Sequence, residues 1–181
     1  MTLNHGSVLW LTGLSGSGKT SLCREIVRLL KPRLRELIVL DGDAIRAAFG
    51  GDLTYSEQDR TIQIKRLQSI AKLLAEQGAI VLVAAVYSNP KLLEWNRCHL
   101  PAYVEVYVRA SMETLRTRDT KGLYASSDTV DVVGVTIPWS APRSADVEIA
   151  TDSGSSPEEL ARRVIAGVPC LAAAQDSVED E

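Results

Sequence analysis

The densest concentration of chemistry in the 181-residue chain is Gly13-Leu14-Ser15-Gly16-Ser17-Gly18-Lys19-Thr20-Ser21. Gly13-x-x-x-x-Gly18-Lys19-Thr20 is the spacing of a loop that wraps phosphate. Its glycines let successive backbone N–H groups turn towards one anion, and a helix opening near Lys19 adds its positive end. Lys19 supplies a mobile charge for β- and γ-phosphates, and the Thr20 hydroxyl is a hard oxygen donor for Mg²⁺. The stretch therefore predicts ATP and Mg²⁺ as cofactors. A second group is Asp41-Gly42-Asp43. Carboxylates beside a metal and phosphates can orient the metal's waters or take a proton from an acceptor hydroxyl. Lys19, Asp41 and Asp43 are the catalytic candidates, with Thr20 and Asp41 on the metal. The spacing leaves open which carboxylate is the base, and equally allows Asp41 to form the turn while Asp43 caps the next helix. Arg46, Arg60 and Gln63 form the third group. The planar fork of Arg suits a second phosphate or sulfate.

These groups need a scaffold that brings them together. Apolar runs at 8–11, 37–40, 79–86, 103–108 and 147–150 read as strands. They alternate with helical patterns at 19–30, 44–49, 57–77, 90–99, 111–118 and from Pro157, which predicts an α/β fold with a mainly parallel sheet. In such a sheet, ligands bind outside the carboxyl ends of the strands. The phosphate loop, Asp41–Asp43 and the segment after residue 86 should therefore share one crevice. Residues 119–142 lose regular period, as lids often do. Residues 1–170 read as one domain and 171–181 as a disordered acidic tail.

The net charge of −3 gives no electrostatic footprint for a nucleic acid. No apolar run approaches the ~18–20 residues of a membrane span, and residues 1–7 lack the features of a signal peptide. Cys23, Cys98 and Cys170 are odd in number and widely spaced, indicating neither disulfides nor zinc, and read as buried or partly buried apolar residues. A cytoplasmic protein is expected.

The ordered series Gly13–Thr20, Asp41-Gly-Asp-Ala-Ile-Arg46, Asp59-Arg60 and Lys121-Gly-Leu-Tyr124 resembles the adenylyl-sulfate kinase family from about residue 7 to residue 152. The resemblance implies a three-layer P-loop kinase fold with a lid. It implies transfer of the ATP γ-phosphate to the 3′-hydroxyl of a small-molecule nucleotide acceptor, adenylyl sulfate, and a possible homodimer. It assigns acceptor binding to Asp43, Arg46, Tyr55, Arg60, Gln63, Val86, Tyr87 and Ser88, and to Lys121, Gly122, Leu123 and Val132 of the lid. Tyr55 stands where the family carries a Phe that stacks on the acceptor base.

The departures fall on the acceptor side. The family's Asp-Arg-x-x-Asn becomes Asp59-Arg60-x-x-Gln63, and its Phe-Thr-Gly becomes Val132-Val133-Gly134. Its Ile-Ser-Pro, followed by an Arg, becomes Val86-Tyr87-Ser88-Asn89-Pro90, in which Tyr87 aligns with the Ser, or Ser88 after a one-residue slip, and the Arg is missing. The Val-Val-Gly-Val lid and Glu94-Trp95-Asn96-Arg97 resemble a branch typified by cytidine diphosphoramidate kinases of bacterial capsule gene sets. Cytidine diphosphoramidate is thus the alternative acceptor. A slow ATPase switch is the remaining alternative.

Overall fold

Five parallel strands form the floor of the molecule in the order β2-β3-β1-β4-β5. They are β1 (Ser7–Thr12), β2 (Leu37–Asp41), β3 (Ile80–Ala85), β4 (Val104–Arg109) and β5 (Val147–Ala150). The helices are α1 (Lys19–Leu30), α2 (Gly42–Ala48), α3 (Glu57–Glu76), α4 (Pro90–His99), α5 (Met112–Thr117), α6 (Pro157–Gly167) and α7 (Pro169–Asp176). The computed structural model describes residues 6–32, 34–119, 122–124 and 131–176.

Successive strand side chains face opposite ways, and the sequence supplies apolar residues to both faces. Leu9, Leu11, Leu82 and Ala84 join one cluster with α1 and α6. Val8, Trp10, Val81 and Val83 join a second with α3 and α4. Buried strands of this kind read as continuous apolar runs. On α1 the buried positions Leu22, Cys23, Ile26 and Leu30 follow helical spacing, as do Ile64, Leu67, Ala71 and Ala75 on α3. The helices begin at encoded caps: Ser56, Asn89 and Ser111 accept from backbone N–H groups of α3, α4 and α5. Ser156 and Glu159 form a reciprocal capping box on α6.

Two expectations need correction. The predicted tail is helical as far as Asp176, because Leu171 is fully buried in the cluster beneath α1 and α6. Residues 177–181 lie outside the described part. Cys98 is exposed on α4, while Cys23 is buried. Burial, then the nearby Asp41, pushes the Cys23 thiol up to about 12, so it packs as an apolar group. Among the described residues no helix is long and apolar enough to cross a membrane.

Candidate active site

β1 runs straight into the phosphate loop. At Gly13 a Cβ would meet the Val108 carbonyl oxygen at 2.0 Å, so the loop passes β4 too closely for any side chain. Gly18 caps α1 in the left-handed region, φ 96°, and redirects the chain from loop to helix. Lys19 is 7% exposed and folds back over the loop. Its Nζ donates to Gly13 O and Leu14 O, both at 2.8 Å, and to Ser17 Oγ at 3.4 Å. Ser15, Gly16, Gly18, Lys19, Thr20 and Ser21 line a crevice of about 520 Å³. Gly13, Leu14 and Ser17 do not line it and are held by the Lys19 ammonium instead.

Asp41 closes β2 and caps α2. Its Oδ1 accepts from Asp43 N at 3.0 Å and Ala44 N at 3.2 Å. Its Oδ2 accepts from the Thr20 hydroxyl at 3.2 Å. The cap is therefore Asp41 and not Asp43, and α2 begins two residues earlier than the pattern suggested. Asp43 lines the same crevice from the first turn of α2. Gln63 is 5% exposed, donates to Gly42 O at 3.0 Å and accepts from Arg66. Its amide thus pins the turn that carries both carboxylates.

Across the crevice, Arg46 and Arg60 flank the Tyr55 ring, with guanidinium carbons 4.8 and 5.2 Å from its centroid. Arg46 donates to Leu53 O and Thr54 O. Arg60 donates to Tyr55 O at 2.8 Å and to Asp131 O of the lid at 2.7 Å. Burial first, and then Arg46, hold the Arg60 guanidinium below its ordinary pKa. Two like charges on one wall raise a positive potential suited to an anion. Tyr87 completes this wall, 5% exposed, its hydroxyl donating to Glu57 Oε1 at 2.8 Å. Val86 also lines the crevice, and its carbonyl accepts from Trp139 Nε1.

The remaining sequence candidates sit elsewhere. Ser88 is buried with its hydroxyl towards Ser140 O, so Tyr87 holds the crevice position and the register slip does not occur. Val132 is buried inside a lid turn whose N–H groups at Val135, Thr136 and Ile137 bond to its carbonyl. Gly122 and Leu123 precede Tyr124, whose hydroxyl donates to Ser15 O and ties the lid to the phosphate loop. None of these four lines the crevice, and Lys121 lies outside the described residues. The Glu94–Arg97 run faces away from the crevice. Asn96 bonds Gln68 and Tyr103, and Arg97 bonds Asp146.

Sequence reading missed one end of the crevice. Arg118, Thr151, Ser155 and Pro157 line the crevice there. Arg118 donates twice to Thr151, and the Thr151 hydroxyl donates to Ser17 O. Thr151 follows β5, so the carboxyl-end rule, extended to the last strand, would have found it.

The family described as adenylylsulphate kinase matches residues 5–150. The chain belongs to that family. An adenylyl-sulfate kinase of Chloroflexus aurantiacus is 38% identical over 162 residues, covering 88% of this chain and 87% of the relative. A cytidine diphosphoramidate kinase of Campylobacter jejuni is 34% identical over 165 residues, covering 90% and 96%. Among solved structures, the Mycobacterium tuberculosis APS kinase in complex with AMPPNP and APS aligns with a TM-score of 0.82 and 32% identity. That alignment covers 91% of this chain and 98% of the other. As an adenylylsulphate kinase family member, the protein is a phosphotransferase with a hydroxyl as acceptor, built on the α/β P-loop kinase fold.

Proposed function

We propose that the protein transfers the γ-phosphate of ATP to the 3′-hydroxyl of a nucleotide whose 5′-phosphate carries a second acidic group in anhydride linkage. One observation carries this reading. A single crevice joins the phosphate loop to the Arg46–Tyr55–Arg60 wall, with the Asp41–Asp43 turn between them. The loop N–H groups and Lys19 hold the triphosphate, and Arg118 with Thr151 closes the end where the donor's base would lie. Arg46 and Arg60 hold the acceptor's phosphates, and Tyr55 offers its ring to the acceptor base. Asp43 takes the proton as the acceptor oxygen bonds to the γ-phosphorus and the bond to ADP breaks.

The Thr20 hydroxyl and Asp41 Oδ2 face each other as hard oxygen donors, which fits Mg²⁺, an ion that keeps most of its waters and substrate oxygens. Bound there, Mg²⁺ would neutralise charge on the phosphates. We assign Asp41 to this metal side because its carboxylate is fixed by Thr20 and by two backbone N–H groups.

Adenylyl sulfate is the acceptor carried over from the relatives named adenylyl-sulfate kinase. Cytidine diphosphoramidate is the second reading, and the acceptor wall favours it. Tyr87 occupies the crevice position, and the valine at 132 is turned inwards. A coupled ADP-release assay tests the proposal. ADP release should depend on acceptor and rise with one of the two nucleotides. Equal release without any acceptor would indicate a slow ATPase switch instead.

A further inference from the structure

Arg66 does not line the crevice, yet it stands two hydrogen bonds from the Asp41–Asp43 turn. Its Nη1 donates to Gln63 Oε1 at 3.2 Å, and Gln63 Nε2 donates to Gly42 O at 3.0 Å. The Gly42 carbonyl and the Asp43 N–H belong to one planar peptide group. That N–H donates to Asp41 Oδ1 at 3.0 Å. The peptide that carries Asp43 is therefore held at both polar ends, by Gln63 on its oxygen and by Asp41 on its nitrogen. A Gln63 amide turned over would set its NH₂ against an Arg66 donor and its oxygen against the Gly42 oxygen. With Arg66 in place, only one orientation of the amide is satisfied.

Arg66 is itself fixed. Its fork donates to Asp52 Oδ2 at 2.7 Å and Oδ1 at 3.2 Å. Its guanidinium carbon lies 4.0 Å from the ring centroid of Phe49, the C-cap of α2. Gln63 and Arg66, three residues apart on α3, share one side of that helix. Together they grip α2 at its first residue, Gly42, and at its cap, Phe49.

We infer that Arg66, braced by Asp52, is a positioning residue for phosphoryl transfer that acts through the Gln63 amide. The inference rests on the proposal that Asp41 and Asp43 serve the metal and the acceptor hydroxyl. Without Arg66 the amide can turn, and the Gly42–Asp43 peptide loses the anchor on its oxygen. Both carboxylates then lose their fixed places relative to Thr20, which Asp41 Oδ2 contacts. Groups proposed to bind the two nucleotides, Lys19, Arg46 and Arg60, are left in place. The transfer step should slow while binding holds.

The test measures kcat and both KM values for the wild type, Arg66→Met, Gln63→Met and the double variant. ATP is the donor, and the acceptor is adenosine 5′-phosphosulfate or cytidine diphosphoramidate, whichever the wild type turns over faster. Each kcat is taken per site that binds a non-hydrolysable ATP analogue, so unfolded protein does not count. Arg66→Met should lower kcat about 10–100-fold, the loss typical of an outer support, with both KM values within threefold of wild type. In the Gln63→Met background the same change should lower kcat less than twofold. Asp52→Asn, at an exposed residue, loosens Arg66 without removing it and should lower kcat at least threefold with the ATP KM unchanged. It decides the matter if Arg66→Met does not fold. A kcat within twofold of wild type, a loss confined to KM, or a full additive loss in the double variant would overturn the inference while leaving the kinase proposal standing. Absence of acceptor-dependent ADP release in the wild type would overturn both.

Discussion

Lys19 bonds the carbonyls of its own loop, and phosphate oxygens would compete for the same ammonium. In the proposed transfer its role is electrostatic, so Lys19→Ala should lower kcat by about 10²–10³-fold, the loss typical of one preorganised donor. Circular dichroism should still report a folded protein, and near-normal kcat would refute the placement of the site. Arg60 stands opposite, on the wall proposed for the acceptor. A hydrogen bond to a charged group contributes about 1.5–3 kcal/mol, so Arg60→Ala should raise the acceptor KM roughly 10–100-fold. The ATP KM should change far less, and equal changes in both would mark a structural role through Tyr55 and Asp131. At this scale, residues with a spacing rule were legible. The loop and the Asp41–Asp43 turn follow from Gly and Asp positions alone. Which carboxylate caps α2 was not legible, because both share a turn and only the backbone angles decide. Arg118 and Thr151 carry no motif, and they meet only through the packing of two separate strand ends.

Among the elements, the lid and α4 do different work from their sequence signals. The described residues of the lid form no helix or strand and are held by contacts with the loop. Tyr124 bonds Ser15 O, and at Gly134 a Cβ would lie 2.6 Å from Leu14 Cδ2. Arg60 and Val86 add bonds to Asp131 and Trp139. Helix α4 is instead anchored by a polar chain from Gln68 through Asn96 and Tyr103 to Glu105, with Arg97 and Asp146 at its end. Glu105 is 3% exposed. Burial raises its carboxyl pKa against the opposing effects of the Tyr103 hydroxyl and Arg97. A carboxyl raised in the folded state holds its proton more tightly there than in the unfolded chain. Its contribution to stability is full below the unfolded value, about 4.3, and is lost as pH rises through the folded value. The melting temperature of the wild type minus that of Glu105→Gln should therefore fall as pH rises from about 4 to 7. A rising difference would mean that Arg97 outweighs burial.

The whole molecule is a sheet between two apolar layers, and continuous apolar runs in the sequence were enough to place all five strands. Its carboxyl end was misread because the tail was judged by its acidic composition. One fully buried leucine, Leu171, brings α7 onto the core. Leu171→Ala should cost about 2–5 kcal/mol in urea unfolding, and a loss under about 0.5 kcal/mol would separate α7 from the domain. The acceptor half was less legible than the donor half for a physical reason. Triphosphate binding is built from backbone turns with fixed glycine spacing, whereas the proposed acceptor wall is made of side chains on α2, α3 and the β3 end that meet only in space. The proposed transfer requires one crevice to serve two nucleotides. ³¹P NMR of the product formed from ATP and each acceptor tests this most directly. We expect stoichiometric ADP and a new phosphomonoester coupled to the ribose 3′-proton. Inorganic phosphate appearing at the same rate with and without acceptor would contradict it.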